Sequence, residues 1–419
     1  MVRSCVSWCR HIFYALVILA LIGCLTEIGL RVYDSATGQV TRRDLYDRGM
    51  ICKSWSVHHG LKPSHTFSVL NRDSGQRIPV KINSLGLRGG EAAIPKPAGT
   101  FRIVCLGDEL TLAPQIPESE TFAARLAQEL PSVHGKHVEV INAGVPDYCP
   151  LLSYLQTKHQ LLGLSPDLIV FNFEMGDVAD DYNYRRLAAV GPGGVPACCA
   201  HPALDLPAPG KKKGQGGEDV LLLPMWCRQR ISCLWANQSI GDQSRSIGTP
   251  TGRYLWLEDD APDWSVHIQH ALAPITHLRE LFAGQGVPVV VAIVPAPWQV
   301  AADAANSEKL RESVGVSVGA VYRSRKPFEM IADYCRVHQL PCCDVSTTFQ
   351  HSERPGALYL TTAPQFSAEG HALYARELAR FLDRELQGTQ FPGSPSGGTG
   401  SGFPPIPQAQ LPSRAGRSP

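Results

Sequence analysis

The 419-residue sequence lacks an excess of charge of either sign: 39 Lys and Arg stand against 38 Asp and Glu, for a formal net charge of +1. With no surplus and no basic stripe interleaved with aromatics, nucleic acid is excluded as a partner class. The short run Lys211 to Lys213 lies in a Gly/Pro-rich stretch and reads as solvated loop. No Cys-x-x-Cys pair recurs, which removes the usual zinc pattern, and nothing calls for a metal or cofactor. No internal repeat of the kind that builds solenoids is present. Residues 388–419 hold almost no large apolar side chains; this Gly/Pro/Ser tail cannot bury a core and is expected to be disordered.

What is present is globular: 44% of residues are hydrophobic and 18% charged, enough chain for one large domain or two ordinary ones. Arg3, Arg10 and His11 precede an apolar run from Ile12 to Leu25 that continues to Tyr33, reaching the roughly 20 residues a tilted membrane helix needs. The basic flank sets residues 1–11 as a cytoplasmic N-terminus, 12–33 as a single-pass signal anchor, and the main domain as extracytoplasmic, with the membrane as a partner. Two alternatives stay open. One is a cleaved signal, which lacks an evident A-x-A site; the other is a lipoprotein signal, in which Leu21-Ile22-Gly23-Cys24 resembles a lipobox and Cys24 carries the lipid. Export would permit disulfides among the 13 cysteines. Their distribution does not suggest a stapled scaffold: Cys5 and Cys9 precede the run, Cys105 sits in a core strand, and Cys198, Cys199, Cys227 and Cys233 share one inserted region where they could pair locally.

Residues 34–98 are polar and turn-rich and read as a juxtamembrane extension packed on a main domain at 99–387. From Phe101 short apolar runs alternate with helical patterns. Strands are expected at 101–106, 138–142, 167–173, 287–294 and 341–345, and Phe122, Leu126 and Leu130 recur on one helical face. Leu151, Leu155 and Leu162 mark a second helix, and 327–339 a third. Val- and Ile-rich strands separated by helices imply an α/β fold: a three-layer α/β/α sandwich around a central five-stranded parallel sheet, flavodoxin-like in its layering. The alternation breaks at an insertion spanning 186–262, which holds Trp226, Trp235 and Trp256, with Trp264 just beyond. These rings form either a private core for the insertion or a stacking platform for a flat ligand such as a sugar.

The residues that carry chemistry lie in four blocks. The first, Phe101 to Leu110, is a strand running into Gly107-Asp108-Glu109. Then come Val140-Ile141-Asn142-Ala143-Gly144-Val145-Pro146, Pro166 to Asp177, and Leu358-Tyr359-Leu360 through Phe366 to Ala372. In order and spacing these blocks resemble the SGNH (GDSL) hydrolase family over roughly residues 99–185 and 265–386. The resemblance implies a serine nucleophile after Gly-Asp, a glycine N–H and an asparagine side chain in the oxyanion hole, and an Asp-His pair that activates the serine. In this chain those positions are Glu109, Gly144 and Gly176, with the histidine position on Gln365 and the aspartate position on Thr362 or Ala363. Only the glycine survives.

Losing nucleophile and base together leaves a serine hydrolase only what binding and the oxyanion hole supply, about 10³- to 10⁴-fold over water. A missing oxyanion donor costs a further factor of about 10² to 10³. Glu109 would also set negative charge where negative charge must develop. Relocated groups are the alternative: Asp108 beside Glu109 as a carboxylate pair, or His371 as a base. Asp177, Asp180 and Asp181 read as a solvated loop or helix cap, and His267, His270 and His277 as surface residues of one helix. The expectation is a catalytically degenerate binding or accessory protein, with Asp108, Glu109, Gly144 and Asp177 lining a site for a carbohydrate or acylated ligand. An active ester hydrolase or O-acyltransferase with relocated catalytic residues, and a structural envelope protein, are the alternatives.

Overall fold

The computed structural model describes residues 2–37, 50–201 and 253–388. The chain begins with α1 (Val2–Thr37) and continues through β1 (Ile51–Lys53), β2 (His59–Leu61), β3 (His65–Leu70) and β4 (Arg77–Ile82). Then follow β5 (Thr100–Leu106), α2 (Glu109–Leu112), α3 (Phe122–Glu129), β6 (Ser132–Val133), β7 (Lys136–Asn142) and α4 (Pro150–Gln156). Next come β8 (Leu168–Glu174), α5 (Asp177–Arg185), β9 (Ala188–Val190) and β10 (Pro196–Cys199). The last group is α6 (Ser265–Phe282), β11 (Val289–Val294), α7 (Glu308–Val314), α8 (Lys326–Val337), β12 (Cys342–Asp344), α9 (Ser346–Gln350) and α10 (Ala368–Gly388).

The central sheet runs β12-β11-β8-β5-β7-β6. The first five of these strands are parallel neighbours, and β6 pairs antiparallel to β7. The sheet is therefore six-stranded and mixed, which corrects the five-stranded parallel sheet expected from the sequence. The reason is local. His134 and Gly135 both take left-handed φ (49° and 74°), making a two-residue turn that folds Ser132–Val133 back onto β7. A run of two residues gives no alternating pattern to read.

Apolar side chains on both faces of each strand explain why the sheet is covered twice. Every residue of β8 and β11 is buried. Val104, Leu106, Ile169, Phe171, Val291 and Ile293 face one core with leucines of α4, Ile268 and Leu272 of α6 and Phe328 of α8. Ile103, Cys105, Val170, Val290 and Ala292 face the other, beneath Phe122 and Leu126 of α3 and Tyr374, Leu378 and Leu382 of α10. Because β5 lies between β7 and β8, connections leave it in opposite directions. The C-terminal ends of these strands are the place where open α/β sheets put ligands.

Residues 50–98 are built into the first core rather than strung beside it. The β3–β4 hairpin alternates buried and exposed residues, and Phe67, Val69, Val80 and Ile82 enter the same cluster as the sheet. Within α1, Phe13–Val32 is long and apolar enough to cross a membrane, with mean hydropathy 2.2 and no burial against the rest of the chain.

Candidate active-site cleft

The cleft begins where β5 ends. Gly107 adopts φ 150°, and a Cβ there would stand 2.3 Å from Thr111 Oγ1, so only glycine makes this turn. Asp108 then caps α2, its Oδ1 accepting the Leu110 N–H at 2.9 Å. Glu109 opens the helix, and its Oε2 accepts the Asp147 N–H at 3.1 Å. Arg88, buried in the extension, donates to the carbonyl oxygens of Leu112, Ala113 and Ile116, the last at 2.6 Å, and so ties down the C-terminal end of the same short helix.

The end of β8 and the start of α5 bring further carboxyls. Asp108, Glu174 and Asp177 are all buried, and Asp177 Oδ2 accepts the Glu174 N–H at 3.1 Å. Asp108 Oδ2 is buried without a hydrogen-bond partner among the described residues, and the charge of Glu174 acts on it. Burial, followed by the charge of Glu174, raises the Asp108 carboxyl well above its usual range. Burial also raises Glu174, and Asp177 rises well above the usual range through burial and the nearby Asp108.

One cation answers these acids. Arg253 Nη2 lies 2.6 Å from Asp180 Oδ2 and 3.9 Å from Asp108 Oδ2. Burial works against the guanidinium charge, but Asp180 and the other carboxylates hold it protonated. Even with this partner, burial pushes Asp180 up to about 7. The Tyr254 hydroxyl is buried without a hydrogen-bond partner among the described residues; burial, then the charge of Glu174, raises it. The cleft is thus crowded with carboxyls whose pKa values burial raises, around the Arg253 guanidinium.

Of the positions singled out in the sequence, Asp108, Glu109, Gly176 and Asp177 meet here. Arg253 fills the space beside Gly176: a Cβ at Gly176 would stand 2.3 Å from Arg253 Nε. Gly144 packs on α2, its Cβ position 2.3 Å from the Leu112 nitrogen, and its N–H donates to Asn142 Oδ1 at 3.0 Å. Gln365 accepts a hydrogen bond from Gln115 Nε2 at 3.3 Å. Beside it, Asp73 at the tip of the β3–β4 hairpin accepts from the Thr361 N–H and from the N–H and hydroxyl of Thr362, at 3.2 and 2.8 Å for Thr362. Ala363 is buried with Ala113, Ile116 and Leu360.

His371 sits apart from the carboxylates. It is fully buried in the second core, stacked on Phe122 with ring centroids 6.0 Å apart, and its Nδ1 accepts the Phe122 N–H at 3.2 Å. Burial, with Arg88 and Arg125 adding to it, pushes its pKa down to about 3. Asp177 and Asp181 are buried rather than solvated, the former within the carboxyl cluster and the latter paired with Arg185. His267, His270 and His277 do share α6, as their spacing implies. Trp256 is a core residue whose Nε1 donates to the Met175 carbonyl at 3.0 Å. Trp226, Trp235, Cys227 and Cys233 lie outside the described residues.

Sequence reasoning missed Arg253, Glu174 and a histidine pair in the extension. His59 Nε2 lies 2.8 Å from the Pro146 carbonyl and, since that oxygen only accepts, carries the proton. Its Nδ1 then accepts from His58 Nδ1 at 2.8 Å. The N–H of the same Pro146–Asp147 peptide group donates to Glu109, so the histidines and the nucleophile-position carboxylate grip one peptide from opposite ends. Only one signal pointed to Arg253: so many carboxyls in blocks destined for burial require a cation nearby.

No family model matches this sequence, and a search of curated proteins finds no match to it. Among solved structures the chain is similar to a lipolytic protein of the G-D-S-L family from Desulfitobacterium hafniense, at 13% identity and TM-score 0.35, covering 67% of this chain and 99% of that one. It is also similar to a lipase/acylhydrolase from Enterococcus faecalis, at 12% identity and TM-score 0.36, covering 69% and 99%. A third is an acetylxylan esterase from Geobacillus stearothermophilus, at 10% identity and TM-score 0.35, covering 68% and 95%. At TM-scores near 0.35 these likenesses carry no argument, and the chemistry of the cleft rests on the residues described above.

Proposed function

We propose that this protein is a membrane-anchored, extracytoplasmic SGNH-like protein that has lost serine-hydrolase chemistry and serves as a binding or accessory protein. The observation that carries this reading is the occupancy of the cleft: Glu109 stands at the nucleophile position, and Arg253 lies against Gly176 in salt bridge with Asp180. Tetrahedral chemistry needs donors pointed at an empty place. Here the Gly144 N–H is committed to Asn142, and the Glu109 carboxylate would repel an oxyanion. Acylated polysaccharide of the cell envelope is the ligand class that analogy with the resembled family suggests. Anchorage by Phe13–Val32 with the main domain outside follows from the apolar helix and its basic flank.

The test uses the full-length protein in detergent. It is expected to turn over no short acyl ester above background and to take no label from a serine-directed fluorophosphonate, while retaining an acetylated polysaccharide in co-sedimentation. In cells it should stay with membranes through a high-salt wash, and protease added outside should digest the chain beyond about residue 34. Ester turnover by the unmodified protein would defeat the reading.

A second reading is favoured by the burial of Asp108 beside Glu174, since buried neighbouring carboxyls whose pKa values are raised are an arrangement used for acid–base catalysis. In that case turnover would be present and Asp108→Asn or Glu109→Ala would abolish it.

A further inference from the structure

The loop between β1 and β2 is laced by backbone hydrogen bonds to the end of β10 and the residues beyond it. The Cys199 N–H donates to the Ser56 carbonyl at 2.8 Å, and the His201 N–H donates to the Ser54 carbonyl at 3.0 Å. His58 completes the seam: its N–H donates to the Cys199 carbonyl at 2.5 Å, and its carbonyl accepts the Ser54 N–H at 2.8 Å. It does so at φ 62°, a left-handed conformation disfavoured for any residue with a Cβ, so the seam holds it there. Its ring meets three others, with centroids 4.5 Å away for His201, 4.9 Å for Tyr184 and 5.0 Å for His59. Two distant chain segments thus bring three imidazoles together between the extension and the inserted region.

We propose that His58, His59 and His201 form an acid-released latch, which fastens the extension to the inserted region at neutral pH and lets go as the medium acidifies. This goes beyond the function proposed above and is independent of it. The hydrogen-bond geometry requires a neutral His59: its Nε2 donates to the Pro146 carbonyl, so its Nδ1 accepts from His58 Nδ1 at 2.8 Å. A proton added to His59 Nδ1 sets two N–H groups head to head at that distance and parts the rings. Charge on the other two histidines is opposed by like charge. His58 faces His59, His201 and Tyr184, while His201 faces His58 and feels the charge of Lys53. His59 faces His58, Tyr148 and Tyr184 and feels the charge of His201. The Pro146 carbonyl and Glu109 favour charge on His59, but burial outweighs them and lowers it. Burial, with His59 and His201 adding to it, lowers His58 to about 4, and burial followed by Lys53 lowers His201. Against an ordinary 6.5, the released segment takes up protons that the latched one refuses. The latch is therefore complete above pH 6.5 and weakens as pH falls towards 4.

The experiment follows hydrogen exchange of the full-length protein in detergent by mass spectrometry at about pH 7.5 and about pH 4.5, corrected for the intrinsic pH dependence of exchange. Peptides holding the His58, Cys199 and His201 amides should lose protection at the lower pH by a factor on the order of 10 to 100, the linkage expected of one histidine lowered as His58 is. Strands β8 and β11 should stay protected. His58→Asn removes a proton site with a residue that tolerates left-handed φ, and His201→Gln removes another while keeping the backbone N–H that meets Ser54. Each variant is read as its own ratio of protection between the two pH values, so a change in stability at neutral pH cancels. The ratio should fall several-fold in His58→Asn and fall in His201→Gln as well. Equal protection of the three amides at both pH values in the unmodified protein would overturn the proposal, as would a ratio that neither variant changes. A loss shared equally by β8 and β11 would mean global acid unfolding in place of a latch, and would overturn it too.

Discussion

Arg253 lies over Gly176 so closely that a Cβ there would stand 2.3 Å from its Nε, while its Nη2 pairs at 2.6 Å with Asp180. Glycine at 176 and arginine at 253 are thus one feature: absence of a side chain at the first makes room for the guanidinium of the second. The guanidinium in turn is the cation that the crowded carboxyls of β8 and α5 need.

Gly176→Asn is therefore expected to destabilise the protein by about 1–3 kcal/mol through overpacking, with Asp180 losing its partner as well. Thermal denaturation would read this as a lowered Tm. A neutral or stabilising effect would mean that Arg253 does not rest on Gly176.

Glu109→Ser alone should not generate an esterase. A serine there would have Asp108 and Glu174 for neighbours, but His371 is committed to the Phe122 N–H in the second core and Gln365 holds no basic nitrogen. A lone hydroxyl is a weak nucleophile at neutral pH. Assay with a short acyl ester and fluorophosphonate labelling should both stay at background; labelling of the variant would reveal a base in reach.

The buried titratable groups give stability a pH dependence with opposing arms. His371 has a folded pKa of about 3 against an ordinary 6.5, so the unfolded chain binds the proton more readily. Its contribution is complete above pH 6.5 and is lost as pH falls towards 3, at up to about 1.4 kcal/mol per pH unit. Asp180 runs the other way. Its folded pKa of about 7 exceeds the ordinary 3.8, so its contribution is present below 3.8 and is lost as pH rises to 7. Urea unfolding across pH 4 to 8 should accordingly show Asp180→Asn gaining stability relative to the unmodified protein as pH rises. A pH-independent difference would contradict the raised Asp180.

Arg88→Met should cost about 2–4 kcal/mol, because it leaves the carbonyls of Leu112, Ala113 and Ile116 buried without their donor. The urea midpoint should fall with an unchanged m-value. A loss below about 1 kcal/mol would mean that water replaces the guanidinium and that the extension does not brace α2.

The layered α/β fold was legible in the sequence because strands buried on both faces must be almost wholly apolar, as β8 and β11 are. A helical spacing of apolar residues marked α3 and α4. The β6 strand was not legible, since a two-residue strand has no period and depends on the His134-Gly135 turn for its existence.

The sequence by itself determined that Glu109 follows a strand and a Gly-Asp turn and that Gly176 precedes Asp177 at the end of another strand, because contiguous blocks of this kind dictate a strand and a turn locally. Only the tertiary structure decided what meets them. Arg253 enters from 77 positions beyond Gly176, Asp73 reaches Thr362 from a hairpin 289 residues earlier, and His58 and His59 reach the Glu109 loop from the extension. Such long-range pairings are set by how helices and hairpins pack around the sheet, and charge compensation inside a buried cleft leaves no local pattern along the chain.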